Sequence, residues 1–272
     1  MEALRQIDDW PAATASAALL RDGEAFASRG PRDRVLRWAS VTKSVTALAT
    51  LVAAEEGTLD LDDPAGPEGS TVRHLLAHAS GLPFEGRTPI GPPGRRRVYS
   101  NTGFEVLAEA VAAAAEMRFE EYLHEAVLHP LGVAAELRGS TASGIQGSLD
   151  DLIKVAAELQ RPKLVAPETL DEATTVAFPG LAGVLPDFGR FEPNDWGLGF
   201  ELRNAKQPHW TGTGNSARTF GHFGGSGTFV WVDPEAGVAL ACLTDLAFGD
   251  WAKEAWPRLS DAVLAELVAQ SH

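Results

Sequence analysis

Short apolar runs broken by turn residues lie near both ends of the chain, and apolar positions at helical spacing fill the middle. Ala15 to Leu20 and Glu24 to Ser28, joined across Arg21-Asp22-Gly23, predict a β-hairpin. Thr228 to Val232 and Val238 to Thr244, joined through Asp233 to Gly237, predict a second. Val41, Val45, Leu48 and Val52 recur at helical spacing up to Glu55-Glu56-Gly57, where Gly57 reads as a cap, so an amphipathic helix is expected there. Phe104, Leu107 and Val111 mark one face of another helix, and Ser148-Leu149-Asp150-Asp151 opens a third with a capping-box pattern. The segment from Trp251 through Leu259, Val263 and Leu267 predicts a final helix, interrupted or restarted at Pro257. Pairing between the two hairpins implies an α/β chain of the α+β type: an antiparallel β-sheet flanked by helices. The sheet domain is then discontinuous, 1–60 with 194–272, and a mainly helical domain, 61–193, is inserted, with an active site at their junction.

Composition adds limits to this outline. A chain of 272 residues that is 44% hydrophobic can bury a large core, and no apolar run is long enough to span a bilayer. Met1 to Pro11 lacks the basic-then-apolar pattern of a secretory signal, which makes a cytoplasmic location the expectation. The single cysteine, Cys242, excludes an internal disulfide and sits in an apolar run, where a buried, inert thiol is expected. A formal net charge of -14 argues against nucleic acid and anionic membranes as partners. Oligomeric state leaves no mark in the sequence.

The candidate chemistry lies in three short pieces: Ser40-Val41-Thr42-Lys43, Tyr99-Ser100-Asn101 and His222-Phe223-Gly224-Gly225. A serine three residues before a lysine on a helix shares its face, one turn away. That places an amine within reach of a hydroxyl and allows the serine to be activated without a histidine triad. A helix start also offers an unpaired backbone amide to a developing oxyanion, and both the helix dipole and burial favour a neutral lysine. Taken alone, the same four residues read more readily as a helix cap and a solvated charge.

The three pieces in this order resemble the serine β-lactamase-like family, which includes class C β-lactamases, D-Ala-D-Ala carboxypeptidases and related esterases. Further stretches carry the resemblance along nearly the whole chain: Leu59 to Pro64, Arg73 to Leu82, Tyr99 to Phe104, His129 to Gly132 and Trp196 to Phe200. The resemblance implies a β-lactamase/transpeptidase-like fold and a serine hydrolase working through an acyl-enzyme. Ser40 is then the nucleophile, and Lys43 and Tyr99 share the proton traffic, with the principal base left open between them. The backbone amides of Ser40 and Gly225 form the oxyanion hole. Asn101 orients Lys43 or the substrate, and His222 and Gly224 line the substrate site. No cofactor motif is present. His74 and His78, four apart, lack a third ligand, so no metal is expected.

Substrate class rests on His222, where relatives often carry a lysine. A lysine suits the carboxylate of β-lactams and peptides, whereas a histidine is mostly neutral at pH 7. A small-molecule carboxylic ester or small amide is therefore expected. The alternatives are a β-lactamase or D-amino-acid peptidase, or a non-catalytic descendant that keeps the fold to bind a ligand or partner. Two polar stretches, Pro83 to Val98 and Arg203 to Thr219, are expected to be surface loops on the rim of the cleft.

Overall fold

Asp22 and Gly23 both adopt positive φ, 53° and 80°, the backbone that a two-residue hairpin turn requires. They join β1 (Ala15–Arg21) to β2 (Glu24–Arg29) in a computed structural model that describes residues 1–270. The remaining strands of the main sheet are β3 (Glu201–Leu202), β4 (Phe220–Gly224), β5 (Thr228–Asp233) and β6 (Val238–Thr244). The sheet is antiparallel throughout, in the order β2-β1-β6-β5-β4-β3, so the first strand of the chain pairs with the last, Ala15 opposite Thr244 and Arg21 opposite Val238. Both predicted hairpins are present within a residue of their expected limits.

Side chains alternate across this sheet and feed two separate cores. Ala18, Leu20, Val230, Val232, Ala239, Ala241 and Leu243 face helix α1 (Thr42–Glu55) and the helical middle of the chain, including α2 (Asn101–Ala115) and α3 (Leu149–Gln160). Ala17, Leu19, Phe229, Trp231, Leu240 and Cys242 face α4 (Asp250–Gln270) and the amino-terminal turn Ala3–Asp9. Two-sided burial of this kind is why β5 and β6 are buried at every position rather than at alternate ones.

Two elements depart from expectation. α1 is not amphipathic: every residue from Thr42 to Ala53 is buried, because α2, the segment Phe119–Leu128 and β4 enclose it. Two of its hydroxyls are met by the 141–145 segment, Thr46 donating to the Thr141 carbonyl at 2.7 Å and Thr42 accepting from the Ile145 amide at 3.0 Å. The helix ends as read, on Gly57 at φ 73°, with Gly57 and Thr58 amides bonded back to Ala54 and Ala53 carbonyls. The second departure is α4, which runs through Pro257 without interruption. Ala252, Trp256, Leu259, Val263 and Leu267 all lie in the core on that face, and this burial outweighs the backbone hydrogen bond that proline cannot make. Small sheets complete the fold: Leu36–Arg37 and Glu136–Leu137 either side of Ile145–Gly147, and the ribbon of Gly183–Leu185 with Gly189–Phe191.

Candidate active site

Ser40 stands in a tight helical turn, Ala39–Val41, that feeds directly into α1. The turn is anchored by Trp38, fully buried, whose indole donates to the Gly147 carbonyl at 3.2 Å. Strand β4 then closes against it. A Cβ on Gly224 would stand 2.3 Å from the Trp38 carbonyl oxygen and 3.0 Å from the Ser40 nitrogen, so only glycine lets the strand approach the Ser40 backbone this closely. Gly224 is thus a close-approach residue, and Gly225, which follows it, lines the same cavity as Ser40.

Lys43 is completely buried one turn after Ser40. Its Nζ lies 3.3 Å from Ser40 Oγ, 2.6 Å from Asn101 Oδ1 and 3.0 Å from the Ala142 carbonyl oxygen. Burial lowers its pKa to about 7, against a smaller opposing pull from Glu105. A neutral amine has two hydrogens and one lone pair. Asn101 Oδ1 and the Ala142 carbonyl accept hydrogens and cannot donate, so they take the two N–H groups. The lone pair is left for the one neighbour that can donate, the Ser40 hydroxyl.

Tyr99 and Asn101 reach the site from the start of α2. Ser100 caps that helix, its Oγ accepting from the Gly103 amide at 2.8 Å and donating to the Pro83 carbonyl at 2.5 Å. The Ser100 amide donates to His78 Nδ1 at 3.1 Å, and the His78 ring packs 4.6 Å from the Tyr99 ring. His78 therefore holds the tyrosine motif in place, with its own pKa pushed well down by burial and then by Lys43. The Tyr99 ring lies 4.7 Å from Lys43 Nζ, and Tyr99 lines the same cavity as Ser40. Burial drives the Tyr99 pKa up, so the phenol keeps its proton at neutral pH.

His222, in β4, is buried beside the Tyr99 and Trp196 rings at 5.9 and 5.6 Å. Its Nδ1–H donates to the Phe223 carbonyl at 2.7 Å, which leaves Nε2 as an unpartnered acceptor. Burial, with Lys43 second, lowers its pKa to about 3, and the ring is neutral at pH 7. Ser40, Tyr99, His222 and Gly225 meet in a cavity of about 160 Å³ whose wall also includes Phe84, Trp196 and Asp187. A larger hollow of about 520 Å³ lies among Arg161, Arg218 and Asp233 and contains none of the motif residues.

The sequence reading missed Glu201, which forms part of the cavity wall. It is buried with Lys206 as an ion pair, and its other oxygen accepts from Trp210 Nε1 at 2.9 Å and meets His209 Nε2 at 2.8 Å. Burial would raise the Glu201 pKa, but His209 and Lys206 together pull it well below the carboxylate range. The available signal was a charged residue between Phe200 and Leu202 at the end of an apolar run. This network also corrects the reading of 203–219 as a solvated rim: Arg203, Lys206, His209, Trp210, Thr211 and Asn215 are buried, because the loop folds inward to satisfy Glu201 and Asp233. The loop Pro83 to Val98 does reach the cleft through Phe84. The run Arg95-Arg96-Arg97 divides, however, with the Arg97 guanidinium buried on the carbonyls of Ala77, Asn194 and Ala177.

His74 bonds through Nδ1 to Thr71 at 2.9 Å and packs 4.3 Å from the Phe178 ring, whereas His78 Nδ1 takes the Ser100 amide. Among the described residues no group of three or more histidines, cysteines or acids is placed to hold a metal ion, and no helix is long and apolar enough to cross a membrane. Cys242 is buried, and burial raises its pKa.

The Beta-lactamase family model matches residues 7–264. A crystal structure described as a beta-lactamase from Mycobacterium bovis superimposes with a TM-score of 0.96 at 52% identity, covering 97% of this chain and 99% of that one. The fold is shared with EstCE1, described as a hydrolase with promiscuous acyltransferase activity, at a TM-score of 0.79, 18% identity and 97% coverage of both chains. Among curated relatives, the D-alanyl-D-alanine-carboxypeptidase/endopeptidase AmpH of Escherichia coli K12 is 28% identical over 138 residues, 37% of this chain and 36% of its own length. Penicillin-binding protein 4* of Bacillus subtilis is 29% identical over 128 residues, 35% of this chain and 28% of its own. These curated matches thus span only about a third of each relative. Matched over residues 7–264, nearly its whole length, the chain belongs to the Beta-lactamase family.

Proposed function

We propose that the protein is a serine hydrolase that acts through an acyl-enzyme on a carboxylic ester or small amide. The observation that carries this reading is the placement of the Lys43 lone pair: two carbonyl acceptors take its hydrogens, and Ser40 Oγ stands 3.3 Å away. Lys43 accepts the Ser40 proton as Oγ attacks the substrate carbonyl. The amides of Ser40 and Gly225 stabilise the resulting oxyanion. Tyr99, which keeps its proton at neutral pH and lines the Ser40 cavity, donates to the leaving alkoxide or amine and is reprotonated from the Lys43 side. Water then attacks the acyl-enzyme in the reverse sense, releasing the acid and restoring Ser40.

The preference for an ester or small amide is supported by the neutral, buried His222, which offers no cation to a carboxylate beside the reacting bond. A second reading, β-lactam hydrolysis, is favoured by the description of the 52% identical Mycobacterium bovis structure. The two are separated by comparing kcat/KM for short-chain p-nitrophenyl esters with nitrocefin and D-Ala-D-Ala peptides, where esters are expected to lead. Intact-protein mass spectrometry with a fluorophosphonate should find the adduct on Ser40. Ser40→Ala should abolish it and lower kcat by on the order of 10³-fold or more. An adduct on another serine would remove the assignment.

A further inference from the structure

The catalytic cavity does not end at Tyr99. Phe84, Tyr99 and Pro186 are shared with a second, open groove of about 340 Å³ that runs away from Ser40 between the Pro83–Val98 loop and the Gly183–Leu185 strand. The groove presents two kinds of surface. Phe84, Ile90 and Val184 are exposed large apolar side chains, each about half accessible. The other lining groups of note are two guanidiniums, Arg96 and Arg190. Arg96 bonds only to the Ile90 carbonyl, at 3.2 Å, and has no carboxylate partner among the described residues. Arg190 meets Glu192 at 3.3 Å in an open pair, both side chains about two-thirds exposed, of a kind worth little and readily exchanged.

Charge around the reacting bond is arranged the other way. His222 is neutral and Asp187, exposed, lines the cavity that holds Ser40. An anion next to the scissile bond therefore meets a carboxylate, whereas an anion one short chain further out meets two arginines, on a protein whose formal charge is -14. Direction follows from Tyr99. If Tyr99 gives the proton to the departing oxygen or nitrogen, the leaving group must lie on the Tyr99 side, and that side opens into the groove.

We infer that the groove binds the leaving group, and that the preferred substrates are esters or amides whose leaving group is an apolar segment ending in an anion, such as a carboxylate or phosphate. This inference rests on the hydrolase reading above. The reaction is hydrolysis: the acyl–oxygen or acyl–nitrogen bond breaks, water supplies the hydroxyl to the acid, and the departing ω-anionic alcohol or amine takes the proton.

Three butyrate esters test it on the intact protein: n-hexyl butyrate, 6-(butyryloxy)hexanoate and 6-(butyryloxy)hexyl phosphate. Both anionic esters are expected to exceed the neutral one in kcat/KM by about fivefold or more, through KM, with an advantage that falls as salt is raised. The larger of the two advantages identifies carboxylate or phosphate as the preferred end. Arg96→Glu and Arg190→Glu, singly and together, should erase the preference while leaving hexyl butyrate turnover within about twofold. Equal or faster turnover of the neutral ester, or a preference that survives the double charge reversal, would overturn the inference and leave the hydrolase intact. If none of the three is turned over, calorimetric binding of 6-hydroxyhexanoate against 1-hexanol decides: anion-selective binding lost in the double variant supports the groove, and its absence refutes it, while the hydrolase reading fails separately.

Discussion

At the scale of single residues, Lys43 concentrates the proposed chemistry because it is buried 3.3 Å from Ser40 Oγ. In that mechanism its amine acts when deprotonated, and burial lowers its pKa to about 7. With an uncharged ester, kcat/KM should therefore rise with pH through about 7 and level off above it, and activity should fall away as the pH drops below that value. His222, held at about 3, stays neutral across this range and adds no step. Tyr99, pushed upward, keeps its proton and adds no descending limb near neutrality. A pH–rate profile of the wild type and of Lys43→Arg checks this, the variant being expected to lose activity by orders of magnitude. A limb centred near pH 10 or above, about the 10.4 of an ordinary lysine, would show that burial does not set the working pKa.

At the scale of elements, the site is made where two backbones touch. β4 lies against the turn before α1 at Gly224, and α2 begins on the Ser100 cap so that Tyr99 and Asn101 emerge together. Gly224→Ala tests the first contact. Its methyl would stand 2.3 Å from the Trp38 carbonyl, backbone on both sides, so one strand or the other must shift. Overpacking of this kind costs about 1–3 kcal/mol, a drop in Tm of several degrees. The displaced Ser40 and Gly225 amides should lower kcat by about tenfold or more with a smaller change in KM. Thermal melts and ester kinetics read the two effects together, and a variant with unchanged kcat would dissociate the strand contact from catalysis.

At the scale of the molecule, the sheet separates two cores, and its β3 edge carries a buried electrostatic cluster against the cavity. Glu201, Lys206, His209 and Trp210 are mutually satisfied, with the Lys206 ammonium also donating to the Asp195 carbonyl at 2.6 Å. Breaking such a pair strands a charge. Glu201→Gln should lower stability by about 3–5 kcal/mol, measured as the urea midpoint. Adding Lys206→Met should recover most of it, because replacing both members removes the unpaired ion rather than creating one. An additive double variant would mean that the pair is not coupled.

The sequence by itself determined those features whose causes are local. Asp22-Gly23 permits only a tight turn, Gly57 and Ser148 cap their helices, and residues spaced by two and by three or four mark strands and helix faces. The trio around Ser40, Tyr99 and His222 was legible because its pieces, in that order and with further stretches along the chain, resemble the serine β-lactamase-like family. Tertiary structure alone decided properties that depend on what packs opposite. The depressed pKa of Lys43 comes from α2 and the Ala142 loop closing over it, contacts distant in sequence. The continuity of α4 through Pro257 comes from apolar area buried on the sheet, which outweighs one missing hydrogen bond. Glu201 reads in sequence as an ordinary charge, and only the inward fold of 203–219 supplies the cation and indole that make its burial tolerable. Likewise the three arginines are identical in the chain, and it is their position against backbone carbonyls or open solvent that makes Arg97 a brace and Arg96 a free cation at the groove. Local preference is written residue by residue, whereas dielectric, solvation and proximity are properties of the assembled fold.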